Sequence, residues 1–228
     1  MICIPVVAAS NEEAKKQMEK SVSLADIIEL RIDFIRSANL KHLLASPGRQ
    51  VLVTNRRKDE GGHFIGDERD RISLLCDAVT LGAHLVDIEL RSGETHIQQL
   101  KKRIAQHDTQ TTLIISHHNA TDTPQYGDLV HLFEKCTRQG ADIVKIITFA
   151  QSIEDNLEIL KLVSYARKAN QEIIAFCMGA RGKISRVMAP LFGSFCTFAS
   201  IEKGAESAPG QLTALEMKKI LRMLDHER

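Results

Sequence analysis

The 228-residue chain has no dominant sign of charge: 30 Lys and Arg stand against 29 Asp and Glu, a formal charge of +1. So balanced a composition offers no overall field for nucleic acid or an anionic membrane, and any anion site has to be local. Paired cysteines are missing as well. Cys3, Cys76, Cys136, Cys177 and Cys196 are odd in number, far apart and mostly set in apolar runs. That suits reduced core thiols rather than a disulfide framework or a metal cluster. No long hydrophobic run opens the chain. "MICIPVVAASNEEAKK" is apolar for too few residues, lacks a basic start and passes straight into a charged helix. A signal peptide or membrane anchor is therefore not expected, and the cytoplasm is the default compartment. Linkers rich in proline or serine, low-complexity tracts and short-period repeats are absent too, so one domain over residues 1–228 is expected. Tryptophan is absent, yet 43% of the residues are hydrophobic and they are spread along the whole length, enough for a substantial core.

What is present is alternation. Short β-branched runs ("ICIPVVA", "DIIELRI", "QVLVTN", "HLVDIEL", "TTLIIS", "DIVKIIT", "EIIAFC", "SFCTFAS") are separated by longer amphipathic stretches such as "GDERDRISLLCDAVTLG", "SIEDNLEILKLVSYARKA" and, at the end, "TALEMKKILRMLDHE". Several of these helical stretches open on Ser, Asp or Thr, and two close at glycine. Strict strand–helix alternation implies parallel strands, because parallel connections need crossovers. About eight such units predict an α/β fold of the (β/α)8 barrel type. The competing doubly wound sheet would show a glycine-rich turn after the first strand, and "VVAASNEE" has none.

Charged and polar residues interrupt these strands or end them: Glu29, Arg31, Arg56, Glu89, the pair His117 and His118, and Lys145. On a barrel they converge on the C-terminal mouth, where active sites of this fold are built. Structural ion pairs filling the polar end are the alternative for any one of them. Lys145, in "ADIVKIIT", is the most specific. An amine buried in a barrel is expected to have its pKa lowered towards the neutral form, which suits a nucleophile that makes a Schiff base. Of the two histidines at most one can serve, because strand neighbours point to opposite faces, and periodicity does not choose between them. Glu89 could orient a histidine through its other ring nitrogen, with Asp87 the rival on the same face. "MGARGKISR" lacks the full spacing of a phosphate loop, but Arg186 lies early in a helix and could grip a carboxylate. "ESAPGQ" adds Ser207 and Gln211 as neutral donors.

Taken in order, "ELRID", "TNRRKDEGG", "DIELRSGE", "SHHN", "VKI", "MGARGKISR", "FGSFCTFAS" and "SAPGQ" resemble the type I 3-dehydroquinate dehydratases, from residue 2 to about residue 220. The resemblance implies a (β/α)8 barrel, a homodimer, no metal or organic cofactor, and the third step of the shikimate pathway, which leads to chorismate and the aromatic amino acids. It implies Lys145 as the Schiff-base lysine, His118 as the catalytic histidine and Glu89 as its partner. It further implies substrate contacts from Glu29, Arg31, Arg56, Met178, Arg186, Phe198, Ser207 and Gln211. Arg186 and Gln211 would hold the carboxylate of 3-dehydroquinate, and the "SAPGQ" segment would close over it. Asn55, Asn119 and His117 depart from common family choices, which bears on affinity and pH optimum rather than on the reaction. The expected course is imine formation at the substrate ketone, removal of the neighbouring proton by His118, loss of hydroxyl and hydrolysis of the product imine. A class I aldolase sharing the lysine and a non-catalytic metabolite-binding homologue are the rival readings.

Overall fold

The computed structural model describes residues 1–45, 47–107 and 110–224. Its elements alternate throughout: β1 (Ile2–Val6), α1 (Asn11–Ser21), β2 (Ile27–Arg31), α2 (Leu40–Leu44), β3 (Gln50–Thr54), α3 (Glu68–Thr80), β4 (Leu85–Glu89), α4 (Glu94–Gln106), β5 (Thr112–His118), α5 (Tyr126–Arg138), β6 (Ile143–Phe149), α6 (Asp155–Lys168), β7 (Glu172–Met178), α7 (Lys183–Phe192), β8 (Thr197–Phe198) and α8 (Ala214–Leu224). The expected parallel barrel is what forms. All strand pairs are parallel, in the order β7-β6-β5-β4-β3-β2-β1-β8. The helix read over "TALEMKKILRMLDHE" is present as α8 through Leu224, and its last three positions lie outside the described residues. Among the described residues, no helix is long and apolar enough to cross a membrane.

Local signals set the helix starts. Ser10, Asn39 and Asp67 accept from the backbone N–H three residues on, at the heads of α1, α2 and α3. Acids sit in the first turn of α6 and bases in its last, as the helix dipole favours.

The seam between β7 and β8 departs from a full ladder. β8 is only two residues long, so the barrel closes there through single contacts just before it: Phe195 N–H and Ser194 Oγ both donate to the Ile173 carbonyl of β7, at 2.7 and 3.2 Å.

Period-two alternation sorts the strand residues into two sets. One set packs outward against the helices, with Ile28, Val53, Val86, Ile115, Val144 and Ile173 in a large apolar layer. The other points into the barrel. Its lower tier is a plug of Cys3, Ile27, Leu52, Leu85, Ile114, Ile143, Ile174 and Cys196. Two residues further along the same strands come Glu29, Thr54, Asp87, Ser116 and Lys145, all buried. Thus an apolar floor supports a charged tier, and the charged tier faces the mouth. All five cysteines are buried and free.

Candidate active site

Lys145 stands in the middle of β6 and is 3% exposed. Its Nζ lies 2.9 Å from Asp87 Oδ2 and 3.4 Å from Glu29 Oε1, and 4.7 Å from the centre of the Phe198 ring. The expectation of a lowered pKa is corrected here. Burial does push the ammonium down, but the charges of Asp87 and Glu29 outweigh it and the pKa ends above the ordinary lysine value. The resting residue is therefore an ammonium ion. Asp87 is held in turn. Burial would raise its pKa, but Arg56 and Lys145 bring it well below the usual carboxylate range. Arg56 forks onto both Asp87 oxygens, at 3.0 and 2.7 Å, and its Nη1 also reaches Glu89 Oε1 and Ser116 Oγ, each at 2.8 Å.

The histidine question is decided by register. Ser116 pairs with Lys145 across β5 and β6, and His118 with Ile147, so His118 shares the interior parity of Lys145 while His117 pairs with Ile146 of the outer layer. His118 lines the cavity. Burial, Arg56 and Lys145 all lower its pKa well below the usual value, which leaves the imidazole neutral.

Its carboxylate partner is not Glu89, and this too is a correction. Glu60 Oε2 lies 3.0 Å from His118 Nδ1 and accepts the His118 backbone N–H at 2.8 Å. Glu89 is fully buried between Arg56, the Arg57 backbone N–H at 3.0 Å and Arg71 Nη1 at 2.8 Å, and it does not reach the cavity. Glu89 ends β4 with Oε1 shared by Arg56 and the Arg57 N–H and with Oε2 against the charge of Arg71. Glu60 belongs to the irregular "RRKDEGGHFIGDE" segment after β3, where no periodicity indicates direction. The signal for it was the glycine pair. Gly61 adopts φ +82°, and a Cβ on Gly62 would sit 1.9 Å from the Arg56 carbonyl oxygen. Only glycines fold this turn back onto β3 and carry Glu60 over the mouth. Burial first, and Glu89 with it, raise the Glu60 pKa to about 7 against the pull of Arg56.

These groups open on a cavity of about 240 Å³ whose lining includes Glu29, Arg31, Arg56, Glu60, His118, Lys145, Met178, Arg186, Phe198, Ser207 and Gln211. Of the site residues implied by the family resemblance, all line it except Glu89, and the rival candidates Asp87 and His117 do not line it; Glu60, Ile147, Phe176 and Pro209 are among the residues the sequence did not single out. One wall is charged and the other, from β7 and β8, is Phe176, Met178 and Phe198. Arg31 reaches the rim while forking onto Asp33 at 2.8 Å by both nitrogens. Arg186, on the inner side of α7, is 0% exposed, stacks 4.4 Å over Phe176 and gives Nη2 to the Pro209 carbonyl at 3.2 Å. Its Nε and Nη1 have no hydrogen-bond partner. Burial lowers its pKa to about 10, so it remains a cation, and its two free donor nitrogens are of the kind that suits an anion.

The segment after β8 covers this arginine. Pro209 also accepts from Gly179 N–H at 3.0 Å, and Ser207 and Gln211 bond each other twice, at 2.9 and 3.0 Å. Gly210 is at φ +83°, and a Cβ there would meet the Gly179 carbonyl at 2.2 Å, so the close approach requires glycine.

Fold and site together define a (β/α)8-barrel enzyme with an amine at the floor of its mouth and an incompletely bonded arginine on the wall. A sequence model described as Type I 3-dehydroquinase matches residues 2–228. The chain belongs to that family and is a carbon–oxygen hydro-lyase. It is 39% identical over 225 residues to a 3-dehydroquinate dehydratase of Methanocaldococcus jannaschii, covering 99% of each chain. A Pyrococcus abyssi protein of the same name is 36% identical over 229 residues and is matched over 100% of both. Among solved structures, the 3-dehydroquinate dehydratase of Geobacillus kaustophilus superposes with a TM-score of 0.90 at 30% identity, over 100% of this chain and 92% of that one. The type I enzyme of Clostridium difficile, solved with covalently modified comenic acid, superposes at 0.88 with 28% identity, over 98% and 91%.

Proposed function

We propose that this chain dehydrates 3-dehydroquinate to 3-dehydroshikimate through an imine on Lys145, the third step of the shikimate pathway to the aromatic amino acids, in the cytoplasm. The observation that carries the reading is the placement of a buried amine and a partly unsatisfied buried arginine around one small cavity. Arg186 and Gln211 bind the substrate carboxylate and set the ring so that its ketone lies over Lys145. Nζ gives a proton to the neutral His118 and attacks the carbonyl carbon; the imidazolium returns that proton to the carbinolamine hydroxyl, which leaves as water and gives a cationic imine, an electron sink for the neighbouring carbon. With Nδ1–H donated to ionised Glu60, His118 Nε2 is the free acceptor and takes the proton from that carbon. An enamine results. The imidazolium then protonates the hydroxyl that leaves, the enamine electrons restore the imine, and water hydrolyses it to the enone and the amine. Glu29 and Arg31 bind substrate hydroxyls and the rim, while Arg56 chiefly holds Asp87 towards the lysine. That the Clostridium difficile relative was solved with covalently modified comenic acid supports a reading in which a protein group bonds covalently to a small molecule.

The test is incubation with 3-dehydroquinate, following the ultraviolet absorbance of the conjugated product, together with borohydride in a parallel reaction. The expected result is turnover plus a reduced adduct mapped to Lys145. Turnover without an adduct would overturn the imine, and binding without turnover would favour a non-catalytic homologue.

The same reading includes a homodimer. α7 supports it, because its polar Ser185 and Arg186 turn inward and leave Ile184, Leu191 and Phe192 exposed, beside Ile153 and Leu157 of the neighbouring α6 region. Light scattering at micromolar concentration is expected to return twice the mass of the 25.4 kDa chain; a monomer would refute it.

A further inference from the structure

Arg71 lies on α3, outside the cavity, yet it is among the most deeply buried large side chains, at 2% exposure. A helix that packs on a barrel ordinarily turns aliphatic residues inward, as α3 does with Ile72, Leu75 and Val79. Arg71 instead spends four of its five N–H groups on polar atoms. Nε and Nη2 fork onto Glu68 at 2.9 and 2.8 Å, Nη2 also reaches Ser92 Oγ at 2.6 Å, and Nη1 donates to the carbonyl of Asn55, the residue before Arg56. The same Nη1 is 2.8 Å from Glu89 Oε2, although no N–H is aimed along that contact, so the interaction with Glu89 is one of charge.

From there the charges alternate without a gap. Arg71 meets Glu89, Glu89 meets Arg56, Arg56 meets Asp87 and Asp87 meets the Lys145 ammonium. We propose that Arg71 is a positioning residue for the reactive amine: through Glu89, Arg56 and the Asn55 carbonyl it sets how much of the Asp87 charge falls on Lys145. The proposal rests on the imine reading of Lys145 and extends it outside the cavity.

The sign follows from the groups on every side. Lys145 faces Asp87 and Glu29, which hold its proton, and Arg56, which repels it; His118 and the thiols of Cys3 and Cys196 lie within its field. Glu89 faces Arg56, Arg71 and, less directly, Glu60. Glu68 faces Arg71 and Arg57. Removing the Arg71 charge leaves Glu89 in surplus and draws Arg56 towards it. Asp87 is then less neutralised and the lysine keeps its proton to higher pH. Removing the Glu68 charge acts the other way, weakened because that side chain is 28% exposed.

The experiment is the pH dependence of kcat/KM and of substrate-dependent borohydride inactivation for the whole protein. Arg71→Met is expected to move the rise of both profiles up by about half a pH unit or more, the size expected for a buried unit charge acting across a few side chains at an effective dielectric of about 20. KM at the optimum should change less than about twofold, since Arg71 is not in the cavity. Glu68→Gln should move the profiles down by a smaller amount, and Arg71→Lys should keep the parental profile. A purely structural role would lower activity at all pH values without moving the curve. Unmoved profiles, or shifts of the same sign for Arg71→Met and Glu68→Gln, overturn the proposal. If Arg71→Met does not fold, the Glu68→Gln shift decides alone. Absence of an adduct in the parent would refute the imine itself, whereas a parental adduct with unmoved variants refutes only the role of Arg71.

Discussion

Lys145→Ala abolishes turnover and borohydride labelling together. The expected loss in kcat is about 10^4- to 10^6-fold, the scale on which deletion of a covalent nucleophile acts, because among the described residues no other amine lines the cavity to make the imine. The fold is expected to persist. A buried ion pair is strongly destabilised, by about 3–5 kcal/mol, when one member is left without compensation. Here neither acid is abandoned: Asp87 keeps both nitrogens of Arg56 and the Ser116 hydroxyl, and Glu29 keeps Thr54 Oγ1 at 2.9 Å. Circular dichroism should therefore give a cooperative melt, and isothermal titration should still detect substrate, because Arg186 and Gln211 are untouched. Product appearing at more than a hundredth of the parental rate in a folded Lys145→Ala preparation would remove the lysine from the chemistry.

His118→Ala divides the reaction instead of abolishing it. Losing a positioned general base costs about two to four orders of magnitude in rate, so turnover should fall by that factor. Imine formation keeps the lysine and the carboxylate grip, with solvent carrying its protons more slowly, and borohydride should still label Lys145 with the mass of the substrate adduct. Glu60 stays in place because it also accepts the backbone N–H of residue 118, which the substitution preserves. His117→Ala, altering a side chain of outward parity, should leave kcat within about twofold. Equal losses from the two alanine variants, or no labelling of His118→Ala, would contradict the assignment. The same pair sets the acid side of the kcat profile, which reports the bound complex, whereas kcat/KM reports the lysine of the free protein. Glu60, raised to about 7 chiefly by burial, loses its charge as the pH falls through that value, and His118 then loses the anion that steadies the imidazolium. kcat should decline below about pH 7, and Glu60→Gln should lower the plateau and flatten that decline.

Much of this was readable before any coordinates. The β-branched runs and their spacing announced eight parallel strands, and alternation along the strands placed Glu29 and Lys145 two residues beyond Ile27 and Ile143. Period two says which face a side chain takes; it does not say which side chain of the next strand it meets. That is why Asp87 and Glu89, two residues apart on one face, were both open as partners of the histidine and why neither proved to be the one. The histidine pair was open for a related reason: parity within β5 became useful only when register tied Ser116 to Lys145. Glu60 was hidden more thoroughly, because it sits in a turn whose path depends on two glycines and on contact with β3 rather than on a repeating pattern.

The amino-acid sequence by itself determined the barrel, the buried lysine, the arginine and glutamine able to hold a carboxylate, and the family to which the chain belongs. Only the tertiary structure decided how the charges are shared. A lysine among apolar residues reads as an amine losing its proton, and it becomes a retained ammonium because barrel closure brings Asp87 and Glu29, from strands distant in sequence, within 2.9 and 3.4 Å of it. Coulomb attraction at that range exceeds the cost of burial, and its sign depends on neighbours that no local pattern specifies.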